Sequence, residues 1–166
     1  MNKFGKLAGL VIALYVVQTS VLPVIAYRGI SADLMMLVTV SFAFLRGARQ
    51  GSLMGFATGL LEDLSTGTFL GVNAFSHLLI GIAFGKFSDR LFREQFFFPV
   101  AASVGAIAMK YFILALLMLL LGYRFNLMGS VQNMLAPMLI YQLAFAYPVH
   151  RLVYDLNQKF SEKEKH

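Results

Sequence analysis

The sequence predicts an all-α integral membrane protein with six transmembrane helices and both termini in the cytoplasm. Three observations carry that expectation. Hydrophobic residues make up 58% of the 166-residue chain and charged residues only 13%, against about 25% charged in an ordinary soluble domain. The apolar residues fall into runs that approach the roughly 20 needed to cross a bilayer. The basic residues sit in short clusters between those runs, which is the mark of membrane topology rather than of a nucleic-acid-binding face. The chain reads as one six-helix domain over 1–166, with spans at 7–26, 33–46, 50–64, 72–87, 96–121 and 131–153.

The first span follows Lys3 and Lys6 and has no small-residue cleavage site after it, so it reads as a retained helix rather than a removed signal. Tyr27-Arg28-Gly29 breaks it. Ser31 and Asp33 are helix N-cap types and open the second helix, whose apolar stretch from Leu34 to Leu45 is short for a span. The third runs from about Gln50 to Leu64, and its glycines Gly47, Gly51, Gly55 and Gly59 recur every four residues. Such a row is costly in a soluble helix, but in a membrane it lets helix backbones approach closely. Ser65 to Gly71 is a turn. The fourth helix runs from Val72 to about Phe87. The charged stretch Lys86 to Gln95 carries Phe87, Leu91 and Phe92 at helical spacing and predicts a short amphipathic interfacial helix. The fifth span, Phe96 to Leu121, is long enough to cross with some tilt, and Phe96-Phe97-Phe98 reads as an interfacial anchor. Gly122 to Gly129 is a second loop. The sixth span, Val131 to Val153, is interrupted by Pro137 and Pro148, with Gln132 and Asn133 at its start to cap it or to bond across helices.

Charge sets the orientation. With the N-terminus inside, the inner side holds Lys3, Lys6, Arg46, Arg49, Lys86, Arg90, Arg93, Arg151, Lys159, Lys163 and Lys165, eleven residues, while the outer side holds Arg28 and Arg124. That bias supports an even number of spans. Lys110 is left over, inside the fifth span, where it costs about 2.5–3.5 kcal/mol on insertion scales and calls for a partner or a polar cavity. It lies about 16 Å along its helix from Pro99, and Glu62 and Asp63 lie about 18–20 Å along theirs from Gln50, at 1.5 Å per residue. Both helices start from the same side. Lys110 is therefore expected to pair with Glu62 or Asp63.

The adjacent carboxylates Glu62 and Asp63 are the sharpest chemical signal. They can hold a proton, a cation or a substrate amine, or they can sit at the outer interface with Lys110 as counter-charge. Neighbours on one helix point about 100° apart, unlike the paired acids of a glycosidase, which face each other across a bond. With Asn73, His77 and Lys110 they form a candidate intramembrane polar cluster. His77 reads either as a structural histidine or as part of a patch with Asn73, one turn earlier. His150 and His166 join no cluster, and metal sites want several ligands. The absence of cysteine excludes disulfides, iron–sulfur clusters and a thiol nucleophile. No phosphate-binding loop, nucleophile elbow or zincin motif occurs. No catalytic residue, metal or cofactor is expected.

The stretch from Ser31-Ala32-Asp33-Leu34 through Arg46-Gly47, Gly51, Gly55 and Gly59-Leu60-Leu61-Glu62-Asp63 to Gly67 and Leu70-Gly71-Val72-Asn73-Ala74 resembles the rod shape-determining MreD family. Asp33, Gly59, Asp63, Gly71 and Asn73 carry its motif. Ala32 stands where the family usually has proline, and Glu62 where an apolar residue is common. The resemblance implies a non-enzymatic scaffold of the bacterial lateral cell-wall elongation machinery, multi-pass in the cytoplasmic membrane. Its implied partner is an MreC-like protein, and through it a RodA-type glycosyltransferase, a cell-wall transpeptidase and MreB filaments. The implied fold resembles the substrate-binding components of energy-coupling-factor transporters, so the rival expectation is a vitamin-binding transporter subunit.

Overall fold

A computed structural model describes residues 3–67, 70–87, 97–122 and 127–162. They form six helices. The first, α1, is continuous from Lys3–Val16 through a π turn at Val17–Val21 into Leu22–Ile25. It is followed by α2 (Leu34–Arg46), α3 (Ala48–Thr66), α4 (Val72–Phe87), α5 (Phe97–Leu120) and α6 (Leu127–Glu162). The π turn precedes Pro23, which has no N–H to give the carbonyl four residues back. The wider turn absorbs that mismatch and aims Gln18 inward.

The short helix α2 is the axis of the molecule. Its sequence is apolar on every side, the pattern of a buried helix. All residues from Leu34 to Leu45 are buried, and α2 packs on each of the other five helices. Two cores form on it. Leu34, Leu37, Val38 and Phe42 pack with Val11 and Leu14 of α1 and Val149 and Val153 of α6. Met36, Val40 and Phe44, four residues apart, pack with Ile80 of α4, Ala106 and Ile107 of α5 and Met138 of α6.

Helices α3 and α4 touch backbone to backbone. A Cβ on Gly51, Gly55 or Gly59 would overlap the backbone of Gly81, His77 or Asn73, and one on Gly85 would overlap Ala48. The expected glycine face is thus used inside the protein, against a matching small-residue row on α4. Gly47 joins this contact through its backbone alone, since a Cβ on Gly85 would also overlap Gly47 C. It has φ +83 and open space at its Cβ position, and it forms the turn between α2 and α3, its N–H closing α2 on Ala43 O at 2.8 Å.

Two further expectations change. Helix α6 runs unbroken through Pro137 and Pro148 and extends from Leu127 to Glu162, beyond the expected 131–153. Gln132 and Asn133 therefore lie inside the helix rather than at its cap; their side chains are outside the described set. The expected interfacial helix falls outside the described residues from 88 onward, as do Arg124, Asn126 and the tail from 163. Where the fifth span was expected to begin, Phe97 is almost fully exposed.

Among the described residues, two helical stretches, Gly5–Ile25 and Val100–Leu120, are long and apolar enough to cross a membrane. Their outward faces are apolar: Ile12, Val16 and Val24 on α1, and Phe112, Leu116 and Leu119 on α5, are exposed. The same holds for Leu53, Phe56 and Leu64 on α3 and Ile140 on α6.

Candidate functional site

The site is built on the N-terminus of α2. A buried helix start leaves several backbone N–H groups with no water to satisfy them. Three side chains supply the acceptors. Asp33 is the N-cap, and its Oδ1 accepts from Met36 N at 2.8 Å. Gln18 Oε1 of α1 accepts from Met35 N at 3.0 Å. Gln142 of α6 clamps the Asp33 backbone from both sides, its Oε1 accepting from Asp33 N at 2.9 Å and its Nε2 donating to Asp33 O at 3.2 Å.

The second Asp33 oxygen enters a charged cluster. Lys110 Nζ of α5 donates to Asp33 Oδ2, to Glu62 Oε2 of α3 at 3.0 Å and lies 3.2 Å from His77 Nε2 of α4. His77 Nε2 is also 3.3 Å from Glu62 Oε2 and 3.6 Å from Asp33 Oδ2. All four side chains are buried. The other Glu62 oxygen accepts from Gln18 Nε2 at 2.8 Å. On its far side the His77 Nδ1 is 3.4 Å from Thr58 Oγ1, which is 2.7 Å from Thr39 Oγ1 of α2. Every one of the six helices therefore sends a side chain into one connected network.

Of the sequence-predicted cluster, the structure brings Glu62, His77 and Lys110 together and leaves Asp63 and Asn73 out of it. Asp63 does other work. Its Oδ2 accepts from Gly71 N at 2.9 Å and Ala74 N at 3.0 Å, and its Oδ1 from Asn73 N at 3.0 Å. It thus caps α4, while its own carbonyl accepts from Gly67 N at 3.1 Å and closes α3. Gly67 takes a left-handed φ of +61 there, as a helix C-cap commonly requires. Asn73 is held through its backbone N–H. Adjacent helical positions diverge by about 100°, so Glu62 faces α5 and Asp63 faces the start of α4.

Asp33, Gln18 and Gln142 were not assigned to this cluster from the sequence. The available signal for the two glutamines is an isolated amide in an otherwise apolar helix, which in a membrane setting marks an interhelical bond. For Asp33 it is a carboxylate with two oxygens and only one needed for a cap.

Chemically, Asp33, Glu62 and His77 offer three ligand atoms within 4.8 Å of one another, a set able to hold a cation. The chain supplies that cation itself, as the Lys110 ammonium. A buried charge is tolerable only when paired and hydrogen-bonded, and each member here is.

Among known proteins, the family model described as rod shape-determining protein MreD matches residues 4–160. No curated protein and no solved structure gives a match.

Proposed function

The chain belongs to the MreD family of rod shape-determining proteins, and on that premise we propose that it is a membrane scaffold of the lateral cell-wall elongation machinery. In this reading it is a six-span protein of the bacterial cytoplasmic membrane with both termini inside. It acts by holding an MreC-like partner and, through it, a RodA-type glycosyltransferase, a cell-wall transpeptidase and MreB filaments.

The observation that carries the scaffold reading is the inversion of polarity in the fold. The buried ionisable groups Asp33, Glu62, His77 and Lys110 bind one another in the interior network, whereas large apolar side chains such as Val16, Phe56, Phe112 and Ile140 are exposed along α1, α3, α5 and α6, with exposed charged side chains such as Lys6, Arg49 and Arg151 nearer the helix ends. A scaffold in lipid needs that arrangement: a stiff interior, and helix faces that meet lipid or other helices. The eleven-to-two division of basic residues supports the inward orientation of both termini. The short span α2 fits as well, because it is wrapped by protein along its length.

The rival vitamin-binding reading needs Glu62, Asp63, Asn73, His77 and Lys110 turned toward a ligand. Here Glu62, His77 and Lys110 bind one another, and Asp63 binds the backbone of Gly71, Asn73 and Ala74.

Affinity isolation of the tagged full chain in mild detergent, at native expression level, tests the proposal. Recovery of an MreC-like protein in near-stoichiometric amount is the expected result. Recovery of transporter ATPase subunits or a bound vitamin in its place would overturn it.

A further inference from the structure

Three helix ends bring basic side chains to one place at the end of the bundle opposite the Asp33 cap. Arg46 ends α2, Arg49 lies in the first turn of α3, and Lys86 lies in the last turn of α4. The helices meet there through backbone, because a Cβ on Gly85 would overlap Ala48 and the carbonyl carbon of Gly47. Arg46, Arg49 and Lys86 are the chain neighbours of Gly47, Ala48 and Gly85, so all three border one contact. Arg46 is half-buried, while Arg49 and Lys86 are exposed. Asn157 of α6 fixes Arg46, its Oδ1 accepting from Arg46 Nε, and the Nη groups take no acceptor among the described residues. No acid lies in the first turn of α3. Among the described residues the ion pairs all belong to the interior cluster, so these three cations have no counter-charge there.

The surface that continues from Arg49 is apolar. Leu53, Phe56 and Leu60 are exposed, and at about 100° per residue they fall with Arg49 within about 60° on one side of α3. That strip starts with a cation and then stays apolar for about 16 Å, at 1.5 Å per residue. Half of a bilayer's hydrocarbon core is about 15 Å thick. A soluble phosphate or an acidic peptide matches the charges but makes no use of the strip. A phospholipid matches both, and arginine suits its phosphate because the guanidinium bonds two oxygens at once.

We propose that the α2–α3 turn binds an anionic phospholipid of the inner leaflet, with the lipid phosphate at Arg46, Arg49 and Lys86 and an acyl chain along Leu53, Phe56 and Leu60. Basic sites at the inner ends of membrane helices suit anionic headgroups. The inner leaflet follows from the orientation given under the proposed function, which turns this end of the bundle inward; the site needs no partner protein. A phosphate held there bridges the ends of three helices and offsets charges that otherwise repel one another.

The test uses the full chain purified in detergent, with bound lipid counted by native mass spectrometry. The probes are dioleoylphosphatidylglycerol, dioleoylphosphatidylcholine with the same chains, glycerol phosphate with the anion but no chains, and an oligoglutamate peptide. Phosphatidylglycerol is expected to bind at least about tenfold more tightly than phosphatidylcholine, and Arg46→Gln, Arg49→Gln and Lys86→Gln are each expected to weaken it about fivefold. Arg151→Gln removes an exposed cation of α6 outside the patch, beside Tyr147, and should change binding by less than about twofold. Equal binding of the two lipids, or as large a loss in Arg151→Gln as in the patch variants, would overturn the proposal. So would displacement of the lipid by equimolar glycerol phosphate or peptide, which would assign the patch to a soluble anion or to an acidic protein. If Arg46→Gln does not fold, the exposed positions Arg49 and Lys86 decide. Binding in detergent depends on neither orientation nor partner, so its failure leaves the scaffold reading intact, and failure of the affinity isolation leaves the lipid site intact.

Discussion

Helix α4 is held on its two sides by opposite means. Toward α3 its backbone meets glycine, with no side chain between. Toward α5 it reaches out with the His77 imidazole to Lys110 and lays the Phe84 ring near Gly105. A single residue shows both: the His77 carbonyl lies against Gly55, and its ring lies in the charged cluster. The first contact is geometric and insensitive to charge. The second depends on charge, because the Lys110 ammonium that His77 meets is shared with Asp33 and Glu62. In an apolar surrounding there is little hydrophobic drive between helices, and the molecule uses both of the remaining means, close packing for the α3–α4 hairpin and charged hydrogen bonds for α5.

The comparison can be broken most severely at Gly55. The added methyl of Gly55→Ala would overlap backbone rather than a side chain that can swing away. A loss of about 3 kcal/mol or more is expected, at the upper end of overpacking costs, read as a drop in the thermal midpoint in detergent. The same substitution at Gly9, where nothing lies within 4 Å, should change stability by no more than about 1 kcal/mol, and in the favourable direction. Equal effects at the two positions would mean that α3 and α4 do not meet through their backbones.

Between those extremes lies Asp63. Asp63→Ala removes the acceptor of three N–H groups at the start of α4. It should cost about 2 kcal/mol, the upper value for a lost cap, and expose the Gly71–Ala74 amides to hydrogen exchange. Protection that survives in the variant would contradict the capping role.

These elements differ in how far they can be read without the structure. The residues 72–87 form a helix with the expected bounds, because an apolar run with polar flanks is a local property. The four-residue glycine spacing exposes a packing face, although not its partner, and it does not reveal that Gly47, whose backbone lies against Gly85, also needs its positive φ for a turn. Depth along two helices rising from one side brings Lys110 level with Glu62. It does not separate Glu62 from Asp63, since depth carries no information about rotation around the axis. Nor does it reach Asp33, which precedes its helix and is brought to Lys110 only by the placement of α2 at the centre. Gln18 and Gln142 have no spacing pattern at all, and they become legible only when the unsatisfied N–H groups at the start of α2 are counted. Pro137 and Pro148 suggest an interruption that α6 does not show.

The most direct test of the buried cluster is a set of double-mutant cycles on the full chain, measured by unfolding in detergent. Lys110→Met is combined in turn with Glu62→Gln, Asp33→Asn and Asp63→Asn. Removing Lys110 alone leaves two carboxylates without their cation and should cost about 3–5 kcal/mol. Coupling of about 1–3 kcal/mol is predicted with Glu62 and with Asp33, while Asp63 should be additive with Lys110 within about 0.5 kcal/mol. Additivity with both Glu62 and Asp33, or strong coupling with Asp63 in their place, would contradict the account.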